Sequence, residues 1–115
     1  EAKQVLWNTD KGKTLILFKH ILYIVASETD SRDKVVYLEN GDKRTIKNTS
    51  FDQILSALPS SKFCRVNKKE IIALKTVIHF TSDEIKTSVR LKNGNSLNAT
   101  LSEVFREEFK AKIKG

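Results

Sequence analysis

Three cations fall within five residues in the segment Phe63-Cys-Arg-Val-Asn-Lys-Lys-Glu-Ile-Ile-Ala-Leu74. Arg65, Lys68 and Lys69 are cationic side chains, so the chemistry they offer is anion binding. Asn67 stands among them with an amide that both donates and accepts, a group suited to a base edge or a phosphate oxygen. On either side, Phe63–Val66 and Ile71–Leu74 have the composition of buried segments. The stretch therefore reads as a basic turn fixed between two buried anchors, a means of presenting cations rigidly to an anionic partner.

Other chemistry finds little support. The chain has no nucleophile elbow, no phosphate-binding glycine loop, no dinucleotide fingerprint and no HExxH. His20 and His79 each sit in an apolar strand with hydrophobic neighbours, where a hydrogen-bonded edge histidine is the better reading than a base or a ligand. The acidic residues are scattered through loops and helices without an evident pair. Cys64 is the single cysteine, so no internal disulfide and no cysteine-based metal cluster can form. It alternates with Arg65 and reads as a small buried hydrophobe pointing the other way. The expectation is a protein that is not an enzyme, with no cofactor and no metal site.

Composition agrees with a binding role. The 115 residues suit one domain, and 39% of them are hydrophobic, enough for a real core. Lys and Arg number 21 against 14 Asp and Glu, giving a net charge of +7. Such a balance suits a polyanion: nucleic acid, an anionic membrane face or an acidic protein. No segment resembles a signal peptide and no apolar run is long enough to span a bilayer, which favours the cytoplasm. The chain begins at Glu1 without methionine, as a piece of a longer protein would.

The elements that must position the basic turn are legible in order. Val5-Leu-Trp and Thr14–Phe18 flank a turn-rich stretch with Gly12, a hairpin with Trp7 as a core plug. His20–Ala26 is an apolar strand-length run, Ser27–Lys34 a polar loop, and Val35–Glu39 an alternating strand. Asn40-Gly41 then turns the chain into a return strand, Lys43–Lys47. Asn-Gly is the strongest short hairpin signal because both residues tolerate positive φ. Ser50-Phe-Asp-Gln is a capping box opening a short helix whose apolar face is Phe51, Ile54, Leu55 and Leu58, stopped by Pro59. Beyond the basic turn come the strand-like run Lys75–Phe80, a turn at Thr81–Glu84, a strand Ile85–Lys92, Asn93-Gly94, and a return strand Ser96–Ala99. Thr100-Leu-Ser-Glu reads as a second capping box, with Leu101, Val104, Phe105, Phe109 and Ile113 on one face of a terminal helix.

Lys19–Leu58 and Lys75–Ile113 thus follow the same plan: apolar strand, polar loop, strand, Asn-Gly turn, return strand, capped helix. Val36-Tyr-Leu-Glu-Asn-Gly41 and Val89-Arg-Leu-Lys-Asn-Gly94 match literally at four positions. The basic turn lies at the junction, where loops can converge. Further contact candidates are Arg32 and Lys34 in the first polar loop, Lys75 after the turn, Thr100 and Ser102 at a helix N-terminus, and Arg106 one turn further in.

Several pieces of this chain, taken in order, resemble one family. They are Ile21-Leu-Tyr-Ile, Val36-x-Leu-x-Asn-Gly, Phe63-x-Arg-Val, Ile71-Ile-x-Leu followed by Val77, Leu91-x-Asn-Gly and the capped terminal helix. From about His20 to Ile113 the sequence resembles the LytTR-type DNA-binding domain of bacterial response regulators. The resemblance implies a mainly β, elongated single domain of hairpins and small sheets, with one short mid-chain helix and one C-terminal helix. It divides the chain into an N-terminal strand region, 1–18, and a LytTR-like DNA-binding domain, 19–115, folded together. It also implies binding to duplex DNA through loops that reach successive major grooves and the backbone between them. Such a domain often follows a phosphoacceptor receiver domain that controls dimerisation on repeated sites. This chain departs from the family's common choices with Asn67 in place of His, Lys69 in place of Ser and Ala73 in place of Asn. Ser102 stands where the base-reading Arg before the last helix is usual, with Arg106 the nearest substitute. Val25 and Ala26 stand where an acidic residue often follows the Ile-Leu-Tyr-Ile run.

The expected function is sequence-specific duplex DNA binding as the output domain of a bacterial transcriptional regulator. Arg65, Lys68, Lys69 and Lys75 are expected at phosphates, and Asn67 and Arg32 at base edges. One rival is a β module that docks an acidic peptide or protein along a strand edge. A second, attachment to an anionic membrane, is disfavoured by the mixed charges of the terminal helix: Glu103, Glu107 and Glu108 against Arg106, Lys110, Lys112 and Lys114.

Overall fold

The unbroken apolar run after His20 becomes a strand with both faces buried, which is why it shows no polar alternation. The computed structural model describes residues 2–115. Seven strands form one antiparallel sheet: β1 (Gln4–Thr9), β2 (Gly12–Leu17), β3 (Ile21–Ala26), β4 (Lys34–Leu38), β5 (Lys43–Ile46), β6 (Phe63–Asn67) and β7 (Glu70–Ala73). Their spatial order is β2-β1-β5-β4-β3-β7-β6, so the N-terminal hairpin joins the sheet by pairing β1 with β5 at Thr9 and Ile46. Three more strands, β8 (Val77–Phe80), β9 (Glu84–Arg90) and β10 (Ser96–Thr100), make a second sheet in the order β10-β9-β8. Helix α1 spans Phe51–Ala57 and α2 spans Glu103–Lys114.

Two cores lie on opposite faces of the large sheet. Trp7, Ile24, Phe63 and Ile71 pack with the α1 residues Phe51 and Ile54 on one side. Tyr23, Cys64, Val66 and Ile72 pack on the other against Ile85, Val89, Leu101 and Phe109 from the small sheet and α2. Neighbouring residues of β3, β6 and β7 point into different cores, as the two-residue strand period requires. The basic turn between β6 and β7 therefore hangs from strands clamped on both sides. Because the small sheet lies against a face of the large one, the domain measures 38 × 36 × 25 Å. It is flattened, where the family resemblance suggested elongation.

The internal repeat is a repeat of structure. Each half opens with a 3-10 turn, Phe18–His20 or Leu74–Thr76, continues as a three-stranded meander and closes with a helix. A bulge falls at the same place in each, between Ile21 and Tyr23 and between Val77 and His79. His20 and Lys75 thus sit in these 3-10 turns rather than in strands.

The Asn-Gly turns also match, though not in the form expected. The Leu38 N–H donates to the Asp42 carbonyl at 2.9 Å and the Leu91 N–H to that of Asn95 at 2.9 Å. Gly41 and Gly94 take φ of 87° and 84°, but neither Asn40 nor Asn93 has positive φ. These are three-residue loops closed by a glycine bulge, not two-residue turns with both residues left-handed. The asparagine side chains instead brace the loop: Asn40 Oδ1 accepts from the Asp42 N–H and Asn93 Oδ1 from that of Asn95, both at 2.9 Å.

The capping box at Ser50 forms, with Ser50 Oγ accepting from the Gln53 N–H and Gln53 Oε1 accepting from the Ser50 N–H. The second one does not. Thr100 ends β10, and the N-cap of α2 is Ser102, whose side chain makes no cap bond. Backbone pairing explains the shift: the Leu101 N–H donates to Asp83 and the Ser102 N–H to Val66, which keeps the chain extended two residues longer. The late start also rotates the helix face. Phe105, Phe109 and Ile113 turn inward, while Val104 is 85% exposed.

Candidate nucleic-acid interface

The β6–β7 connection consists of Lys68 and Lys69 at the tip of a hairpin in which Asn67 pairs with Glu70. Its shape is set by a chain of polar contacts rooted in the core. The buried Tyr23 hydroxyl donates to Glu70 Oε2. Glu70 Oε1 accepts from Asn67 Nδ2 at 2.7 Å, and the same nitrogen donates to the Thr100 carbonyl at 2.9 Å. Asn67 Oδ1 accepts from the Lys69 N–H at 2.9 Å. Both sides of the Asn67 amide are thereby engaged within the protein, and through Thr100 it fastens the turn to the chain entering α2. Burial, reinforced by the Glu70 carboxylate, raises the Tyr23 phenol well above its ordinary pKa, so it stays a donor.

Arg65 braces the turn from below. Its Nη2 donates to the Lys68 carbonyl at 2.9 Å and its Nε to the Asn67 carbonyl at 3.3 Å. The guanidinium lies 4.9 Å from the centre of the Phe51 ring and 5.3 Å from that of Phe105, so it bridges α1 and α2. Asp52 stands 3.7 Å from Nη1. The Ala26 N–H closes the third side by donating to the Lys69 carbonyl at 3.0 Å. Against this fixed backbone the side chains of Lys68 and Lys69 are exposed, and neither forms an ion pair with a described residue.

Lys68, Lys69 and Arg65 share a cleft of about 380 Å³ with Ser31, Ser50 and Asp52. One wall belongs to the β3–β4 loop, which is strapped down by Asp33. Its carboxylate accepts from the Asn48 N–H at 2.9 Å and from Lys47 Nζ at 3.2 Å. The Asn48 N–H is the main reason that the Asp33 carboxyl titrates below its usual range. Asn48 takes φ of 45° to reach it, a conformation asparagine tolerates. Arg32 lies on this loop with its side chain 75% exposed, held to Asp30 by Nη2 at 2.8 Å and Nε at 3.1 Å. Those contacts pull the Asp30 carboxyl down to about 2.

The remaining sequence candidates go elsewhere. Lys34 was expected on the loop surface, but it starts β4 and is buried. Its Nζ donates to the Ser31 carbonyl at 2.8 Å and sits 5.0 Å from the centre of the Phe51 ring, and desolvation lowers its pKa. Lys75 does not join the cleft. It stands past the far end of β7, where it binds the Glu39 carboxylate and the Lys19 carbonyl. Thr100 and Ser102 are drawn beside the turn through Asn67 and Val66. Arg106 is half-buried, with an Nε that has no hydrogen-bond partner among the described residues. Sequence reasoning missed Glu70 and Tyr23. Glu70 was within reach of it, three residues after Asn67 across a two-residue turn, whereas the Tyr23 contact spans 47 residues.

No curated protein matches the chain. Among solved structures, a LytTr DNA-binding domain from Bacillus cereus aligns over 100% of both chains with a TM-score of 0.71 at 19% identity, a likeness of fold. The family model described as the LytTr DNA-binding domain matches residues 11–114. With that match running from the N-terminal hairpin to the end of α2, the chain belongs to the LytTR family of DNA-binding domains.

Proposed function

We propose that this domain binds duplex DNA sequence-specifically, as the output domain of a bacterial transcriptional regulator, by inserting the β6–β7 turn and its neighbouring loops into the grooves. One observation carries the proposal: Lys68 and Lys69 project, without ion-pair partners among the described residues, from a turn whose backbone is held by Asn67, Arg65 and Ala26. Cations presented in this way meet phosphates at little ordering cost. Arg32, exposed on the strapped β3–β4 loop, is the side chain placed to exchange Asp30 for a base edge. Thr100 and Ser102 lie beside the turn and, with Arg106 in the first half of α2, are further candidates for contact with the DNA backbone. Asn67 and Arg65 act by holding the turn. Lys34, buried, contributes charge through the cleft wall, and Lys75 lies outside this interface.

The role is binding rather than catalysis, and it belongs in the cytoplasm, where the DNA is. No described helix is long and apolar enough to cross a membrane. In this proposal a receiver or sensor domain precedes the chain and governs pairing of two copies on repeated sites. The test is selection of bound sequences from a random duplex library at moderate salt. A recurring motif is the expected result. Absence of enrichment would reduce the domain to generic basic affinity and favour the rival, an acidic peptide docked along edge strand β2 or β8.

A further inference from the structure

At the opposite end of the β6–β7 hairpin from the basic turn lies a second concavity, of about 690 Å³. Its floor is apolar, built from Leu17, Phe18, Phe63 and Leu74. Backbone hydrogen bonds fix its walls: the Phe18 N–H donates to the Lys3 carbonyl and the Leu74 N–H to the Lys62 carbonyl, each at 2.9 Å. Its rim carries four lysines, Lys3, Lys19, Lys62 and Lys75, and no acidic residue among those described. Lys75 pairs with Glu39, a carboxylate that Lys19 also acts on from further off, while neither Lys19 nor Lys62 forms an ion pair with a described residue.

An apolar hollow ringed by cations is complementary to one kind of molecule. The volume falls within the range of small-molecule sites, about 300–1,000 Å³. An apolar body would displace water from the floor, and an anionic head would relieve the crowding of like charge at the rim. A DNA backbone satisfies only half of this, because it brings phosphates to lysines but nothing to fill the floor. We propose that this pocket binds a small amphipathic carboxylate, an acyl or aryl chain with its head between Lys19 and Lys62. The inference is independent of how the domain meets DNA.

The test is titration of the isotope-labelled protein with sodium decanoate, followed by amide NMR, with decyltrimethylammonium as the control of opposite charge. Saturable shifts are expected at Phe18, Lys62, Phe63 and Leu74, with the cationic control binding at least about tenfold more weakly. The double variant Lys19→Gln/Lys62→Gln should weaken decanoate binding by about tenfold through loss of two charge-assisted contacts, with the thermal midpoint unchanged because both side chains are exposed. The proposal is overturned if the two amphiphiles bind alike, or if the shifts gather at exposed Leu6 and Leu15 instead. It is equally overturned if these amides ignore decanoate but respond to duplex DNA, which would give the lysines to the nucleic acid.

Discussion

Replacing Asn67 with alanine tests whether the residue reads DNA itself or shapes the loop proposed to do so. The substitution removes three hydrogen bonds, at 2.7, 2.9 and 2.9 Å. The bond to the Glu70 carboxylate is charge-assisted, worth about 1.5–3 kcal/mol, and the other two about 1 kcal/mol each. Asn67 is only half-buried, so water recovers part of the sum, and a loss of about 2–3 kcal/mol is expected. Urea denaturation followed by the fluorescence of buried Trp7 measures it, with an unchanged m-value showing that only stability has moved. Because Tyr23 and Asn67 both bind Glu70, the double variant Tyr23→Phe/Asn67→Ala should depart from additivity by about 0.5–3 kcal/mol. DNA affinity should fall for all sequences alike, with the base preference retained. A stability loss under about 0.5 kcal/mol, joined to a lost preference at one base position, would refute the reasoning and make Asn67 a direct reader.

Three further predictions follow from the same geometry. Arg65→Lys should cost about 1–2 kcal/mol in urea denaturation, because an ammonium cannot stack between Phe51 and Phe105 while donating to two carbonyls; equal stability would contradict the bracing role. Burial pushes the Cys64 thiol up to about 11, so the native protein should resist a thiol reagent at mildly alkaline pH and react once urea unfolds it. Prompt labelling of the folded protein would show that the β6 strand opens. The Asp30 carboxyl, held near 2 by Arg32, has its folded pKa depressed below the ordinary 3.8. Its contribution is therefore complete at neutral pH and lost as the pH falls from 3.8 through about 2. An NMR titration of Asp30 with its midpoint at the ordinary value would mean that the Arg32 pair does not form.

What could be read from the residues, and what could not, divides along the range of the interactions. The Ser50 capping box, the α1 apolar face and the two chain reversals at Asn-Gly depend on neighbours a few positions apart, and they stand where local chemistry puts them. The matching halves were visible for the same reason. Most of the departures in the site come from distant partners. Thr100 has the sequence of a cap, but pairing of Leu101 and Ser102 with Asp83 and Val66 moves the helix start. Lys34 resembles a loop cation until Phe51, 17 residues on, provides a face to lie against. Asn67 has the chemistry of a base reader, yet Glu70 and the Thr100 carbonyl take its amide. The position of the basic turn was legible because its apolar flanks are local. The destinations of its side chains depend on α1, α2 and β10, which the chain brings together only on folding.

The central claim is that Lys68 and Lys69 hold DNA phosphates, and the salt dependence of binding tests it most directly. Affinity of the parent and of the Lys68→Ala/Lys69→Ala variant for the selected duplex should be measured across a range of salt concentrations. Both side chains are exposed, so the variant should fold as the parent does. Loss of two phosphate contacts should weaken binding and reduce the magnitude of the slope of log K against log salt by about 2, at roughly 0.9 per contact. An unchanged affinity with an unchanged slope would place the DNA elsewhere on the domain.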